Sequence, residues 1–268
     1  MASNEEIWRK YDADEVRLTA SVSERMLDLA GVLPGMRVLD LATGRGEPAI
    51  RAAHRVGPTG SVLGVDIAGD MLQMARERAN RGGLNNLELR ECNGETMEGV
   101  PPAHFHVVLA RWGLMYLDSP ISALVSAHQA MLPGGVLVAA VWAEPERVSY
   151  FSFPRNVLAK HHELPAIDWR VPGTFYYASE DRLRCDLETA GFAVTHIEEQ
   201  ETQVMEAATG EELVAWTRAF GMNRLLIDLP PSVQQAWEEE LIRQAEPYRS
   251  GDHFRLGGVT RIVVARRQ

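Results

Sequence analysis

Val38-Leu39-Asp40-Leu41-Ala42-Thr43-Gly44-Arg45-Gly46-Glu47-Pro48-Ala49 decides the fold. Val38, Leu39 and Leu41 are strand formers. Gly44 and Gly46 allow a tight turn in which a ligand can approach the main chain closely. Pro48 suits the first turn of a following helix, where a missing N–H costs nothing. The stretch therefore reads as a strand, a glycine turn and a helix start, and it places two carboxylates, Asp40 and Glu47, at the turn.

Those acids discriminate between ligands. A dinucleotide pyrophosphate asks for N–H donors and glycines spaced G-x-G-x-x-G. Here the spacing is A-x-G-x-G with an acid on either side, which repels an anion. A ligand with an ammonium and a sulfonium is suited instead, and S-adenosylmethionine carries both, with an adenosine beyond. Asp40-Leu41-Ala42-Thr43-Gly44-Arg45-Gly46 resembles the first motif of the class I S-adenosylmethionine-dependent methyltransferases, with Ala42 in place of the usual first glycine. The resemblance implies a Rossmann-like α/β fold: a seven-stranded, mostly parallel sheet with helices on both faces and a helical, aromatic cap.

The strands and helices that follow fit that order. The first strand spans about residues 37–41, a helix 49–56, and a second strand 61–67 that contains Asp66. Asp66 lies 20 residues after Gly46, room for a helix, a turn and a strand, and its carboxylate can accept from both ribose hydroxyls. The plain alternative is a solvated strand end. The next helix, 70–81, shows an apolar stripe of Met71, Met74, Ala75 and Ala79; the resemblance puts Met71 near the adenine. After the third strand, 87–91, the family commonly carries an Asp for the adenine amino group. Asn93 stands there, followed by Gly94 and Glu95. Its amide can both accept and donate.

The fourth strand, 105–110, leads into Arg111-Trp112-Gly113-Leu114-Met115-Tyr116. Strand ends on this edge of an open sheet form the ligand crevice. Arg111 and Trp112 are thus expected beside the methionine end and the reacting methyl, with Tyr116 in the pocket. Ser119-Pro120 opens a helix whose apolar face reads as Ile121, Leu124, Val125, His128, Met131 and Leu132, with His128 structural. Pro133-Gly134-Gly135 turns into a fifth strand, 136–142. The cofactor set expected from motif and resemblance is Tyr11, Asp40, Ala42, Thr43, Gly44, Gly46, Asp66, Ile67, Met71, Asn93, Gly94, Glu95, Arg111 and Trp112.

Outside this core, residues 1–34 read as an N-terminal lid with a helix over 15–30, and similar enzymes fold such a segment over the cofactor; Tyr11 is placed there. The methyltransferase domain is expected over 35–268, with cap insertions at about 143–178 and 204–257. The first insertion is dense in aromatics and reads either as part of a substrate lid or as a satellite cluster under a long loop. Helices are expected at 210–220 and 232–246, and an insertion of about 55 residues is expected to interrupt the last two strands.

Composition bounds the rest. The chain has 268 residues and a net charge of −10, which disfavours a nucleic-acid binder needing clustered Lys and Arg. Arg261, Arg266 and Arg267 read as a solvated strand end. Two cysteines predict no disulfide framework and a reducing, cytoplasmic setting. The polar, acidic start shows no signal peptide, and no apolar run reaches the ~18–20 residues of a membrane span. His104-x-His106 lacks partners for a metal site, so no metal is expected.

Methyl transfer needs positioning, plus a general base when the nucleophile is a hydroxyl or an acidic C–H. His253, Tyr116 and His161, with His162, are the candidates because they fall in lid or crevice segments. Within class I, Asp-Leu-Ala-Thr-Gly-Arg-Gly-Glu-Pro-Ala and Ala-Arg-Trp-Gly-Leu-Met-Tyr look similar to the branch of ubiquinone/menaquinone C-methyltransferases and natural-product methyltransferases. With the acidic charge this branch points to a small acceptor, and the aromatic, Met-rich lid to a partly hydrophobic one, methylated on O, C or N; a monomer or homodimer is expected. A dinucleotide-dependent reductase and a non-catalytic S-adenosylmethionine-binding protein are the alternatives.

Overall fold

The computed structural model describes residues 4–268, with side chains from Arg9 onward. Five strands form the parallel part of the sheet: β1 (Arg37–Leu41), β2 (Ser61–Asp66), β3 (Leu87–Glu91), β4 (Phe105–Arg111) and β5 (Met131–Trp142). Three more follow, β6 (Phe192–Ala207), β7 (Arg249–Ser250) and β8 (His253–Arg267). The order is β3-β2-β1-β4-β5-β8-β6, with β7 paired only to β8. The sheet thus has eight strands, not the expected seven. The extra one is a two-residue segment, Arg249–Ser250, which folds back on Phe254 and His253. β8 runs antiparallel to β5, from Trp142 opposite Thr260 to Val136 opposite Arg266.

The helices are α1 (Asn4–Leu29), α2 (Ala49–Val56), α3 (Gly69–Arg81), α4 (Pro120–Ala130), α5 (Ser149–Leu158), α6 (Glu180–Thr189), α7 (Gly210–Thr217), α8 (Asn223–Leu226) and α9 (Pro231–Gln244). A single π-helical turn, Arg218–Met222, joins α7 to α8. The chain forms two compact units. The larger holds Ser21–Ala143, Trp169–Gln200 and Thr260–Gln268; the smaller holds the chain up to Ala20, Glu144–Asp168 and Glu201–Val259.

In the larger unit β1, β2 and β4 are near-continuous apolar runs because a parallel sheet is covered on both faces. Val38, Val62, Val107, Leu109 and Val138 pack with Val22, Met26 and Leu27 of α1 and with Ala49, Ala52, Ala53 and Val56 of α2. Several expectations change here. α1 begins at Asn4 rather than near Glu15, and its buried side is Thr19, Val22, Ser23, Met26 and Leu27. On α4 the buried side is Ala123, Leu124, Ala127 and Ala130, and Ile121 and Val125 stay exposed, because small side chains let the helix approach the sheet. β5 starts at Met131, and Pro133-Gly134-Gly135 forms an irregularity within it, between the Phe105–Met131 and Val107–Val136 pairs. His128 packs edge-on against Phe192 at 5.2 Å, a structural placement. Arg261 is buried, not solvated: its guanidinium donates to Ala178 O and, at 2.9 Å, to Glu199 Oε1.

The smaller unit has its own core, which includes Tyr150, Phe153, Leu213, Trp216, Met222, Leu226, Trp237 and Leu241. The Trp237 indole N–H donates to Pro154 O at 2.9 Å, so a fully buried polar tip is satisfied. Much of the aromatic content of 143–178 is therefore core: Tyr150 and Phe153 here, Phe175 and Tyr177 in the larger unit. Residues 208–252 separate β6 from β8, a shorter insertion than expected because both strands are long. Among the described residues, no helix is long and apolar enough to cross a membrane.

Candidate functional site

Parallel register brings the C-terminal ends of β1, β2, β3, β4 and β5 to one edge of the sheet. The turn after β1 is left-handed at Ala42 (φ 54°), Gly44 (φ 53°) and Gly46 (φ 89°). Gly46 also has no room for a side chain, since a Cβ there would sit 2.9 Å from Ile50 Cδ1 and 3.2 Å from Ala75 Cβ. Asp40 is fully buried. Its Oδ2 accepts from Thr43 Oγ1 at 2.6 Å and from the Ala49 N–H at 3.1 Å. Its Oδ1 is buried with no hydrogen-bond partner among the described residues. Burial raises this carboxyl to about 7, against the opposing pull of the Thr43 bond and the Arg111 charge. A buried acceptor without a donor is costly, so it points to a missing partner.

The end of β2 supplies Asp66. Its Oδ2 accepts from Gly44 N–H at 2.7 Å and its Oδ1 from Ala68 N–H at 2.9 Å, which fixes the carboxylate across the glycine turn. Ile67 beside it is 71% exposed, an apolar surface at the edge where a nucleoside base would lie. Met71 is half-buried and its sulfur lies 3.8 Å from the Cβ position of Gly44, so it faces the turn, and Leu72 takes the buried place expected for it on α3. After β3, Asn93 is exposed and its Oδ1 accepts from Glu95 N–H at 2.8 Å. Gly94 is pressed on Leu41 of β1, where a Cβ would sit 2.5 Å from Leu41 Cδ1. Glu95 reaches the helix after β4: its Oε1 accepts from Ser119 N–H at 3.0 Å and its carbonyl from Ser126 Oγ at 2.6 Å.

The end of β4 carries Arg111, which donates to Ser23 Oγ of α1 at 3.3 Å and lies 4.9 Å from the Trp112 ring. Trp112 is left-handed (φ 52°), an uncommon state for a bulky residue. Its ring stacks on Trp142, at the end of β5, with centroids 4.7 Å apart and planes 7° apart. Its indole N–H is buried without a partner among the described residues. Tyr116 is half-exposed, and its hydroxyl hydrogen-bonds Thr174 Oγ1 at 3.1 Å.

The structure thus gathers Asp40, Ala42, Thr43, Gly44, Gly46, Asp66, Ile67, Met71, Asn93, Gly94, Glu95, Arg111, Trp112 and Tyr116 in the larger unit, on the strand ends of one sheet edge and the segments that follow them. Glu47 departs from expectation. Its carboxylate is buried and taken up by Arg51 Nε at 3.0 Å and Arg78 at 2.7 Å, so it braces the turn against α3 instead of facing a ligand. Tyr11, His161 and His253 belong to the smaller unit. Tyr11 is buried, 4.5 Å from the Trp216 ring and 5.5 Å from that of Phe220. His161 is exposed in the turn after α5, and His253 is half-buried at the first position of β8. Ser23, Gly113 and Trp142 escaped the sequence reading. Trp142 was within its reach, as the last residue of a parallel strand on the ligand edge. Among the described residues, no cluster of His, Cys, Asp and Glu is arranged to hold a metal.

S-adenosylmethionine fits these residues on two observations. Asp40 Oδ1 is a buried carboxyl oxygen lacking a hydrogen-bond partner, and the left-handed glycine turn is pinned to the Asp66 carboxylate through the Gly44 N–H.

Residues 33–167 match the family described as "Methyltransferase domain". The nocamycin O-methyltransferase of Saccharothrix syringae is 31% identical over 257 residues, covering 90% of this chain and 89% of that protein. The ubiquinone/menaquinone biosynthesis C-methyltransferase UbiE of Shewanella sp. (strain W3-18-1) is 31% identical over 168 residues, 61% of this chain and 66% of that protein. Among solved structures, a putative methyltransferase from Bacillus halodurans superposes with a TM-score of 0.60 at 20% identity, covering 92% of this chain and 98% of that one.

Proposed function

We propose a function from one premise: the chain belongs to the family of S-adenosylmethionine-dependent methyltransferases. It is an enzyme, and S-adenosylmethionine is its cofactor. The acceptor, in our reading, is a small, partly apolar metabolite. The observation that carries the reading is the partnerless Oδ1 of Asp40 at the head of the glycine turn, with Asp66 fixed across it.

The cofactor supplies a methyl group already activated on a sulfonium. What remains for the chain is to bind, align and exclude water. Asp40 receives the ammonium of the methionine end, and Arg111 balances the carboxylate beside it. Asp66 keeps lone pairs for the two ribose hydroxyls while its backbone bonds hold it in place. Ile67 and Met71 offer apolar surface to the base, and the Asn93 amide N–H group meets a ring nitrogen while Oδ1 serves Glu95. The Trp112–Trp142 stack walls the reacting end from water. Alignment of nucleophile, methyl and sulfur can lower the barrier by ~7–11 kcal/mol.

The apolar character of the acceptor is supported by Tyr116, Trp169 and Val171, which are all exposed in the larger unit. The segment after Val171 meets the turn that carries Tyr116, where Gly173 N–H donates to Met115 O at 2.8 Å and Tyr116 hydrogen-bonds Thr174. Nocamycin O-methyltransferase and UbiE carry natural-product and quinone names, in keeping with such an acceptor. Tyr116 is proposed to orient the acceptor.

Titration calorimetry with S-adenosylmethionine and with a nicotinamide dinucleotide tests the cofactor reading. Labelled-methyl transfer to a panel of apolar phenols, enols and amines tests the acceptor. The proposal expects S-adenosylmethionine to bind and at least one apolar acceptor to be labelled. Tighter binding of the dinucleotide, or transfer only to strongly charged acceptors, would overturn it.

A further inference from the structure

Ala42 stands where the resembling motif has its first glycine, and it keeps a glycine's backbone, with φ at 54°. A methyl group is therefore held in the middle of the cofactor turn in a conformation that L-residues avoid. Something nearby must leave room for it. That something is Gly113, after β4. A Cβ at Gly113 would lie 2.4 Å from the Ala42 Cβ, 3.3 Å from Ala42 O and 3.6 Å from Ala42 Cα. Carbon atoms in contact sit about 3.5–4.0 Å apart, so two methyl groups cannot share this junction.

The backbone at Gly113 does not itself call for glycine. Its φ of −100° and ψ of −41° are right-handed and open to any residue. Glycine is required there by the Ala42 methyl. The residue before it, Trp112, is bent to φ 52°, which delivers Gly113 against Ala42. On one side of the junction, Thr43 is bonded to Asp40. On the other, Arg111 reaches the charge of Asp40 and lies over the Trp112 ring.

We propose that Ala42 and Gly113 are a matched positioning pair: the Ala42 methyl, seated on the bare Gly113 backbone, sets the cofactor turn against the Arg111–Trp112 turn at the distance that binding requires. The methyl that Ala42 carries is thereby accommodated by the absence of one at Gly113 on the facing loop. Neither residue performs chemistry. The inference rests on the cofactor reading above.

The test is a cycle of Gly113→Ala in two backgrounds, wild type and Ala42→Gly, read by calorimetric S-adenosylmethionine binding and by thermal melting of the full chain. In the wild-type background G113A is expected to raise the dissociation constant at least tenfold at temperatures where the protein is fully folded. In the A42G background, where one methyl again occupies the junction, the same change is expected to shift it less than threefold. An equal shift in both backgrounds would overturn the pairing. So would a G113A protein that melts earlier yet binds like wild type, because the contact would then be packing alone. Should G113A fail to fold, the comparison of A42G/G113A with A42G decides: a shift within threefold supports the pair and a larger one refutes it. Wild-type protein that does not bind S-adenosylmethionine would sink the cofactor reading and this inference with it. Wild type that binds, with backgrounds that respond alike, would sink only this inference.

Discussion

Asp40→Asn should make the ligand-free protein more stable and the cofactor complex weaker. The side chain is fully buried, and its carboxyl is raised from 3.8 to about 7, chiefly by burial. Between those values the folded state holds a proton that the unfolded state has released. Stability from this group is therefore full below about pH 4, falls as pH rises, and reaches its lowest level above about pH 7. At 1.36 kcal/mol per pH unit the loss at high pH is of order 4 kcal/mol, and roughly 2–4 kcal/mol allows for local relaxation. Asparagine keeps an oxygen for Thr43 Oγ1–H and Ala49 N–H and carries no charge to desolvate. Urea unfolding of both proteins from pH 4 to pH 8 reads the difference directly. The variant should match wild type near pH 4 and exceed it by roughly 2–4 kcal/mol at pH 8. Its affinity for S-adenosylmethionine should fall by ~1.5–3 kcal/mol, the scale of a hydrogen bond to a charged group. A wild-type-minus-variant difference that is flat across this range would refute the reasoning about Asp40.

Two further outcomes follow from the same geometry. Asp66→Ala should weaken S-adenosylmethionine binding by ~1.5–3 kcal/mol in calorimetry, and unchanged affinity would remove the ribose assignment. Glu47→Gln should cost about 2–3 kcal/mol in urea unfolding, because it strips a buried carboxylate from Arg51 and Arg78; a change under about 0.5 kcal/mol would mean that the brace is not structural.

The features that local physics dictates were legible in the sequence. The run from Val38 to Ala49 announced a strand, a turn and a helix, and the turn is left-handed at Gly44 and Gly46 as close ligand approach requires. The spacing of Asp66 from Gly46 was enough to put a carboxylate across that turn, because a parallel sheet leaves little choice of return path. What escaped was set by distant partners. Nothing near Glu47 in the chain announces Arg78, which comes from α3, beyond α2 and β2. Gly113 has an ordinary backbone, so its requirement appears only when Ala42 is in view. On α4 the large Ile121 and Val125 stay exposed and alanines line the buried face beside Leu124, because they let the helix lie closer to the sheet. The aromatic density of segment 143–178 does not by itself separate lid from core, and part of it closes local cores at Tyr150, Phe153 and Tyr177.

The most direct test is a crystal structure of the protein with S-adenosylmethionine at saturating concentration. The nucleoside should lie over residues 42–46, its ribose hydroxyls on Asp66 and its ammonium within hydrogen-bond distance of Asp40 Oδ1. A nucleoside bound elsewhere, or Asp40 Oδ1 still without a donor in the complex, would contradict the account.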